Sequence, residues 1–425
     1  MSSPPADEPT SARQSSSQCL SPSTSLVERL RLAAALRAGR AAGWLSRRLG
    51  RGAGTVVRGR VVLAIAPNAL RSLAAGRRTV VVTGTNGKST TTRLISVALG
   101  EAVATNSTGA NMGPGIVSAL DDLPGAVAVL ETDELHVPSV MRAVEPVAVV
   151  ALNLTRDQLD RTHEVSRTSR VWGAAFGARP VTVVANLADP HVVAAALNAT
   201  AVWVDPGLRW TEDATVCPRC GRLLDWTDGR WSSDCGLAMP AADYLVTERG
   251  VRLPDGREIA LDLRLPGTVN RGNAAFALAT AAVLGVPAEA AAARLSAVET
   301  VDGRYAELDL GGRSARLMLA KNPAGWAAAL AMIEPESQLV VGINARIADG
   351  TDTSWLYDVP FERLAGRTVG AIGDRRDDLA VRLHYAGAAP IVDDDPVRLA
   401  AALPPGPLVV AANYTAFREL RRYVG

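Results

Sequence analysis

The stretch RTVVVTGTNGKSTTTRLISVALG (78–100) restricts the architecture more than any other in this chain. It opens with an apolar, β-branched run, breaks at Gly84 and Gly87, and resumes from Lys88 with helical spacing. A continuous apolar run predicts a strand buried on both faces, as in a parallel sheet. A strand that enters a glycine turn and then a helix presents backbone N–H groups and a helix N-terminus to an anion. Gly84, Thr85, Asn86, Gly87, Lys88, Ser89 and Thr90 are therefore expected to bind ATP. Lys88 would reach the β and γ oxygens, and Ser89 would ligate Mg2+. The longer loop pattern G-x-x-x-x-G-K-[ST] would need glycine at Val82, so this loop is a shorter form. Only two lysines, Lys88 and Lys321, stand among 45 Lys and Arg residues. A compact ammonium at two points of an arginine-using chain suggests contact with phosphate or carboxylate oxygens.

Further β-branched runs follow at 126–132, 146–154 and 180–186, each ending in polar residues and separated by helical stretches. The pattern predicts an α/β fold with a parallel-rich sheet, ligands binding at the strands' C-terminal ends. At 425 residues the chain exceeds one ordinary core. The composition divides it into a disordered tail (1–26), a helical segment (27–76), a central ATP-binding domain (77–300) and a second α/β domain (301–425). Residues 209–243, rich in Trp, Cys, Gly and Asp, read as a ribbon-like insertion in the central domain. VVRGRVVLAIA (56–66) reads first as a core element, with a surface helix or strand touching a membrane-bound substrate as the alternative. The net charge of +2 gives no reason to invoke nucleic acid. No secretory leader or membrane span is expected. Four cysteines without a disulfide framework point to a reducing cytoplasm.

The form G-T-N-G-K-[ST]-T resembles the Mur ligase family, and the resemblance extends along most of the chain. NSTGANMGPGI (106–116) is similar to that family's second glycine-rich segment, and ETDE (131–134) to its magnesium-binding glutamate, which implies Glu131 as an Mg2+ ligand. LNLTRDQLDR (152–161) matches the D-x-L-D motif with Asp157 and Asp160. LPGTVNRGNA (265–274) resembles the adenine-binding turn, implying Asn270 and Asn273 near the base, and DGR (302–304) the hinge, implying Arg304 near the nucleotide. The chain departs from the amino-acid-adding ligases at several points. Gln158 replaces a histidine, no lysine between 88 and 321 can be carbamylated, and Lys321-Asn322-Pro323 stands where D-x-x-H-N-P is usual. Together with GINARIADGTDTSWLYDVPFE (342–362), carrying Asp349, Asp352, Trp355 and Asp358, these departures resemble the MurT branch.

That branch implies ATP-dependent amidation of the D-glutamate α-carboxylate of lipid II through an acyl-phosphate. Lys321 would meet the acyl-phosphate or its carboxylate. The ammonia would come from a glutaminase partner of the GatD type, because no cysteine here sits on a nucleophile elbow beside a histidine. Asp349 or Asp352, Asp349 preferred, would complete that partner's Cys–His pair. The branch also implies a zinc ribbon. Cys217 and Cys220 form one intact knuckle, but Ser232 stands where a cysteine would precede Cys235. Zn2+ closed by Asp234 or water, and a metal-free ribbon, both remain open. A stand-alone amide ligase of the Mur or folylpolyglutamate type and a non-catalytic nucleotide-binding scaffold are the alternatives.

Overall fold

Successive valines of the first strand enter different cores. Val80 and Val82 pack with Leu94, Ile95 and Phe276, whereas Val81 packs with Ile116, Trp172 and Phe176. This two-residue alternation, with both faces apolar, requires a sheet covered on each side. The computed structural model describes residues 25–50, 54–106, 110–123, 125–157, 164–265, 267–298 and 305–424. The expectations for residues 1–24 (with Cys19), 107–109, Gln158, Asp160 and 302–304 (with Arg304) lie outside the described residues.

The large sheet is built from β1 (Arg78–Thr83), β2 (Val103–Thr105), β3 (Val127–Glu131), β4 (Ala148–Ala151), β5 (Thr182–Asn186) and β6 (Thr200–Asp205), all parallel. β7 (Asp225–Thr227) and β8 (Arg230–Ser232) form a separate antiparallel ribbon. The sheet is completed by β9 (Tyr244–Val246), β10 (Gly250–Arg252) and β11 (Glu258–Ala260), in the order β11-β10-β9-β6-β5-β4-β1-β3-β2. Strand order runs from β1 towards β3 and β2 on one side and towards β4, β5 and β6 on the other. The loop after β1 thus sits where the order reverses, the favoured ligand position in such sheets.

Ten helices are described around this sheet: α1 (Leu26–Arg48), α2 (Thr55–Ile65), α3 (Ala69–Ala74), α4 (Lys88–Leu99), α5 (Gly113–Asp122), α6 (Val137–Val144), α7 (Val165–Gly177), α8 (Pro190–Ala196), α9 (Thr268–Val283) and α10 (Ala288–Leu295). The VVRGRVVLAIA stretch falls on α2, whose Val62, with Ala66 just beyond it, joins the core while Val56, Val57, Arg60 and Ala64 are exposed, so the core reading holds for one face of the helix. Its alternation of apolar and basic residues lets one face pack while the other remains in solvent. Gly59 is required there, because a Cβ would fall 1.8 Å from the Pro114 carbonyl oxygen of α5.

The second sheet has the order β12-β13-β17-β14-β15-β16, from β12 (Tyr305–Asp309), β13 (Ser314–Leu319), β14 (Gln338–Gly342), β15 (Thr368–Ile372), β16 (Ala389–Val392) and β17 (Leu408–Ala412). Only the edge pair β12–β13 is antiparallel. Helices α11 (Pro323–Ala331), α12 (Arg376–Tyr385), α13 (Pro396–Ala402) and α14 (Tyr414–Leu420) cover it. Leu339 and Val341 enter one core with Trp326 and Phe361, and Val340 enters the other with Leu399 and Phe417. The α/β class and the second α/β unit agree with the sequence reading.

Candidate active site

The glycine turn after β1 is held open by a neighbouring strand end. Thr85 N–H donates to the Asn153 carbonyl at 2.9 Å, and Asn86 N–H donates to Asn153 Oδ1 at 2.8 Å. Asn153 Nδ2 returns a bond to the Asn86 carbonyl at 3.0 Å. Gly87 has φ of +86°, and a Cβ there would lie 2.9 Å from Asn273 Oδ1, so both its backbone and its neighbour demand glycine. Ser89 and Thr90 follow in the first turn of α4.

Lys88 Nζ folds back over this turn. It donates to the Gly84 carbonyl, to the Thr85 carbonyl at 3.3 Å and to Glu134 Oε2 at 3.2 Å. Burial alone would lower its pKa, but Glu134, Glu131 and Asp157 outweigh that and raise it, so the ammonium stays charged. Glu131 ends β3 with only 3% exposure. Asn106 clamps its backbone, accepting from Glu131 N–H and donating to the Glu131 carbonyl, both at 2.8 Å. Glu131 Oε2 is buried and has no hydrogen-bond partner among the described residues. A buried carboxylate oxygen without a donor is suited to a hard cation, so the residues present fit magnesium.

Asp157 faces both lysines. Burial pushes its carboxyl up, Lys321 pulls it down, Glu134 raises it further, and Lys88 and a hydrogen bond from Asn322 lower it, with the balance raised. Lys321 also lies 5.3 Å over the Tyr414 ring. Asn322 caps α11, accepting from Gly325 N–H at 2.9 Å. Its amide exchanges bonds with Asn86 at 3.1 and 3.2 Å, 236 residues away. The second sheet's domain therefore touches the phosphate turn directly.

Between the two domains lies a cleft of about 540 Å³, lined by Gly87, Thr90, Asn270, Asn273, Phe276 and Lys321 among others. Asn273 Oδ1 accepts from Thr91 Oγ1 at 3.2 Å, and Asn273 Nδ2 donates to Asn270 Oδ1 at 3.4 Å. The seam is also bridged by Arg156, which pairs with Asp213 on one side and with Asp358 at 2.9 Å on the other. Sequence reasoning did not single out Glu134, Asn153, Arg156 or Asn322 as partners. Polar residues just past a strand end were the available signal.

The preferred partner-facing aspartate is turned inward. Asp349 accepts from Thr415 N–H at 2.8 Å, from Thr415 Oγ1 and from Arg346 N–H at 3.2 Å, at 8% exposure. Asp352 is exposed, and hydrogen bonds from Ser354 N–H and Oγ hold its carboxyl below the usual range. The Asp-Gly turn thus uses Asp349 to fasten α14 and leaves Asp352 outside.

In the insertion, the thiols of Cys217, Cys220 and Cys235 converge within 4.8 Å of one another. The hydroxyl beside them belongs to Ser233, 3.3 Å from Cys220 Sγ and 3.5 Å from Cys235 Sγ, rather than to Ser232. Ser232 closes β8 with its side chain exposed, and the chain turns only after it. Hydrogen bonding from Ser233 and from Leu237 N–H brings the Cys235 thiol down to about 7. Three converging sulfurs with one low pKa fit zinc, with a hydroxyl as the weak fourth donor. If so, Ser233→Ala should weaken zinc retention against a chelating dye several-fold, and Ser232→Ala should not. Unchanged retention in Ser233→Ala would remove that hydroxyl from the site.

The family description "Mur ligase middle domain" matches residues 82–206, and "MurT ligase C-terminal" matches residues 319–417. A lipid II isoglutaminyl synthase (glutamine-hydrolyzing) subunit MurT from Streptococcus pneumoniae (strain ATCC BAA-255 / R6) is 32% identical over 390 residues, covering 83% of this chain and 86% of its own length. The protein of the same name from Staphylococcus aureus (strain N315) is 29% identical over 402 residues, covering 86% and 92%. Among solved structures, a pseudomurein peptide ligase type C from Methanothermus fervidus shares the fold, with a TM-score of 0.68 at 19% identity over 82% of this chain and 78% of that one.

Proposed function

Because the chain belongs to the MurT family and is an ATP-dependent ligase, we propose that it amidates the D-glutamate α-carboxylate of the lipid II stem peptide. The observation that supports this reading best is the seam itself: Asn322, next to Lys321, exchanges amide bonds with Asn86 of the turn that carries Lys88, and both lysines act on the Asp157 charge. One cation belongs to the phosphate turn and the other stands where an incoming carboxylate would be activated. A carboxylate oxygen attacks the γ-phosphorus and ADP leaves. Ammonia then attacks the acyl carbon, and phosphate leaves as the amide forms.

Lys88 neutralises the β and γ oxygens as its ammonium moves off the turn's own carbonyls. Lys321 offsets the charge of the substrate carboxylate, and Asp157 keeps both cations in register. Asn270 and Asn273 would bracket the adenine in the cleft. Ser89 and Glu131 would hold magnesium, which supplies charge neutralisation between the β and γ phosphates. Glu131→Gln should then raise the magnesium concentration needed for half-maximal ADP release about tenfold or more, with ATP binding retained. An unshifted magnesium titration would remove Glu131 from the site.

Ammonia would be supplied by a glutaminase partner of the GatD type, in the cytoplasm at the inner face of the membrane. The exposed Asp352 is the better placed carboxylate to orient that partner's histidine. Asp352→Asn is expected to abolish glutamine-dependent amidation and to spare the ammonium-dependent reaction. Asp349→Asn should lower thermal stability instead. The reverse pattern would restore Asp349 to the role.

The deciding experiment combines the chain with lipid II, ATP, magnesium and ammonium chloride, with and without the glutaminase and glutamine, and follows the stem peptide by mass spectrometry. Conversion of carboxylate to amide with ammonium alone supports the ligase role. Conversion with glutamine only when the partner is present supports the division of labour. No amidation in either mixture, with ATP still bound, overturns the reading in favour of a scaffold.

A further inference from the structure

Helix α1 turns an apolar face away from the protein. Its buried positions are Ala35, Gly39, Gly43 and Ser46, and Gly39 packs on Arg58 and Val62 of α2. At about 100° per residue the opposite face collects Leu26, Val27, Leu30, Trp44 and Leu45. These side chains are 48–73% exposed. A capping box formed by Ser25 and Glu28 starts the helix at Leu26, so the apolar end is part of a defined turn. At the same step Arg37 and Arg48 fall among these side chains, which leaves two exposed apolar ends, Leu26, Val27 and Leu30 at the start of the helix and Trp44 and Leu45 near its close.

The charge on this helix is almost all of one sign, although Arg40 is paired with Asp121 of α5. α1 carries Arg29, Arg31, Arg37, Arg40, Arg47 and Arg48 against the single acid Glu28, and α2 adds an exposed Arg60. Arg48 lies 4.4 Å over the Trp44 ring, so cation and indole share the outward face. Exposed leucine, valine and tryptophan interleaved with arginine on one outward face suit shallow insertion at a membrane interface, with the guanidinium groups reaching the headgroups. No described helix is long and apolar enough to cross a membrane. A second copy would set arginine against arginine, which opposes self-association.

We propose that the outer face of α1 docks this chain on a bilayer containing anionic phospholipid. The surface is separate from the nucleotide site and does not depend on the ligase reading. Docking would hold the chain beside any substrate anchored in the same membrane.

The test is flotation of the full chain with vesicles of phosphatidylglycerol and phosphatidylcholine, against vesicles of phosphatidylcholine alone, at low and high salt. Binding should favour the anionic vesicles and weaken with salt. Leu30→Glu with Leu45→Glu should reduce the partition coefficient at least about tenfold. Arg37→Gln with Arg48→Gln should reduce it about fivefold for each arginine removed. Unchanged thermal melts of these surface variants would show that folding is intact. Failure to float with anionic vesicles at low salt overturns the proposal, as does equal binding by Leu30→Glu/Leu45→Glu. A dimer in sedimentation equilibrium that this variant breaks, without vesicle binding, would assign the face to a second copy and also overturn it. ADP release without vesicles reads the ligase site separately, so failure of one assignment is distinguishable from failure of the other.

Discussion

Lys88→Ala is expected to reduce ATP-dependent turnover by about 10²–10³-fold, the scale of losing a preorganised charge stabiliser. Its ammonium is the positive charge of the phosphate turn, and it sits among Glu131, Glu134 and Asp157. Removing it leaves three carboxylates facing one another and, on the proposed reading, deprives the phosphates of their cation. Nucleotide binding should therefore fall along with turnover, and because these carboxylates are largely buried the fall should change little with ionic strength. Lys88→Arg should not rescue the activity, because a planar guanidinium cannot replace a point charge inside a tight turn. ADP release and equilibrium binding of the magnesium nucleotide measure the two effects. Turnover within about tenfold of the parent would place the phosphates elsewhere.

The largest effect on stability is expected at Arg58. Its guanidinium is 10% exposed and pairs with Asp121 and Asp122, tying α2 to the end of α5, while Asp121 is only 3% exposed and also accepts from Arg40. Arg58→Met keeps the length of the side chain and removes the charge. Breaking a buried pair on one side costs about 3–5 kcal/mol, and the remaining bond from Arg40 places this case near the lower end. A shift of the urea midpoint corresponding to about 3 kcal/mol is the expected reading. A change below about 1 kcal/mol would mean that the pair behaves like a surface one.

The same cluster carries a pH signature. Burial would raise the Asp121 carboxyl, but the hydrogen bonds from Arg40 and Arg58 more than reverse this and leave it lowered. A folded-state pKa below the unfolded one gives stability that is present above the unfolded carboxylate range and lost as pH falls through the folded value. The acid limb of the stability profile should therefore flatten in Arg58→Met.

The strands and the phosphate turn were legible because each is a local pattern: Val80-Val81-Val82 read as buried on both sides, and Gly84 and Gly87 read as a turn. Contacts between distant segments were not. Nothing near Asn86 announces Asn322, 236 residues later, because a neutral amide has no distinctive spacing. Glu131 and Glu134 are equivalent on paper, and only the short 3₁₀ turn that follows β3 brings Glu134 to Lys88. Ser232 holds the position of the missing cysteine when residues are counted as in the first knuckle, whereas the ribbon's pairing ends at Ser232 and the hydroxyl beside the thiols is that of Ser233. Asp349 and Asp352 are both acids in one glycine-containing loop, and what sets them apart in burial is Thr415, which lies 66 residues beyond Asp349 and donates to it.

The bonds that fasten the second domain next to the phosphate turn are polar: the exchanged amides of Asn86 and Asn322, and the Arg156–Asp358 pair. Apolar seams resist parting because separation wets hydrocarbon, whereas water can replace each of these bonds at little net cost. The joint therefore has a low barrier to release. A product enclosed between the domains would leave through a brief hydration of these four side chains, and the cores on either side would stay dry throughout.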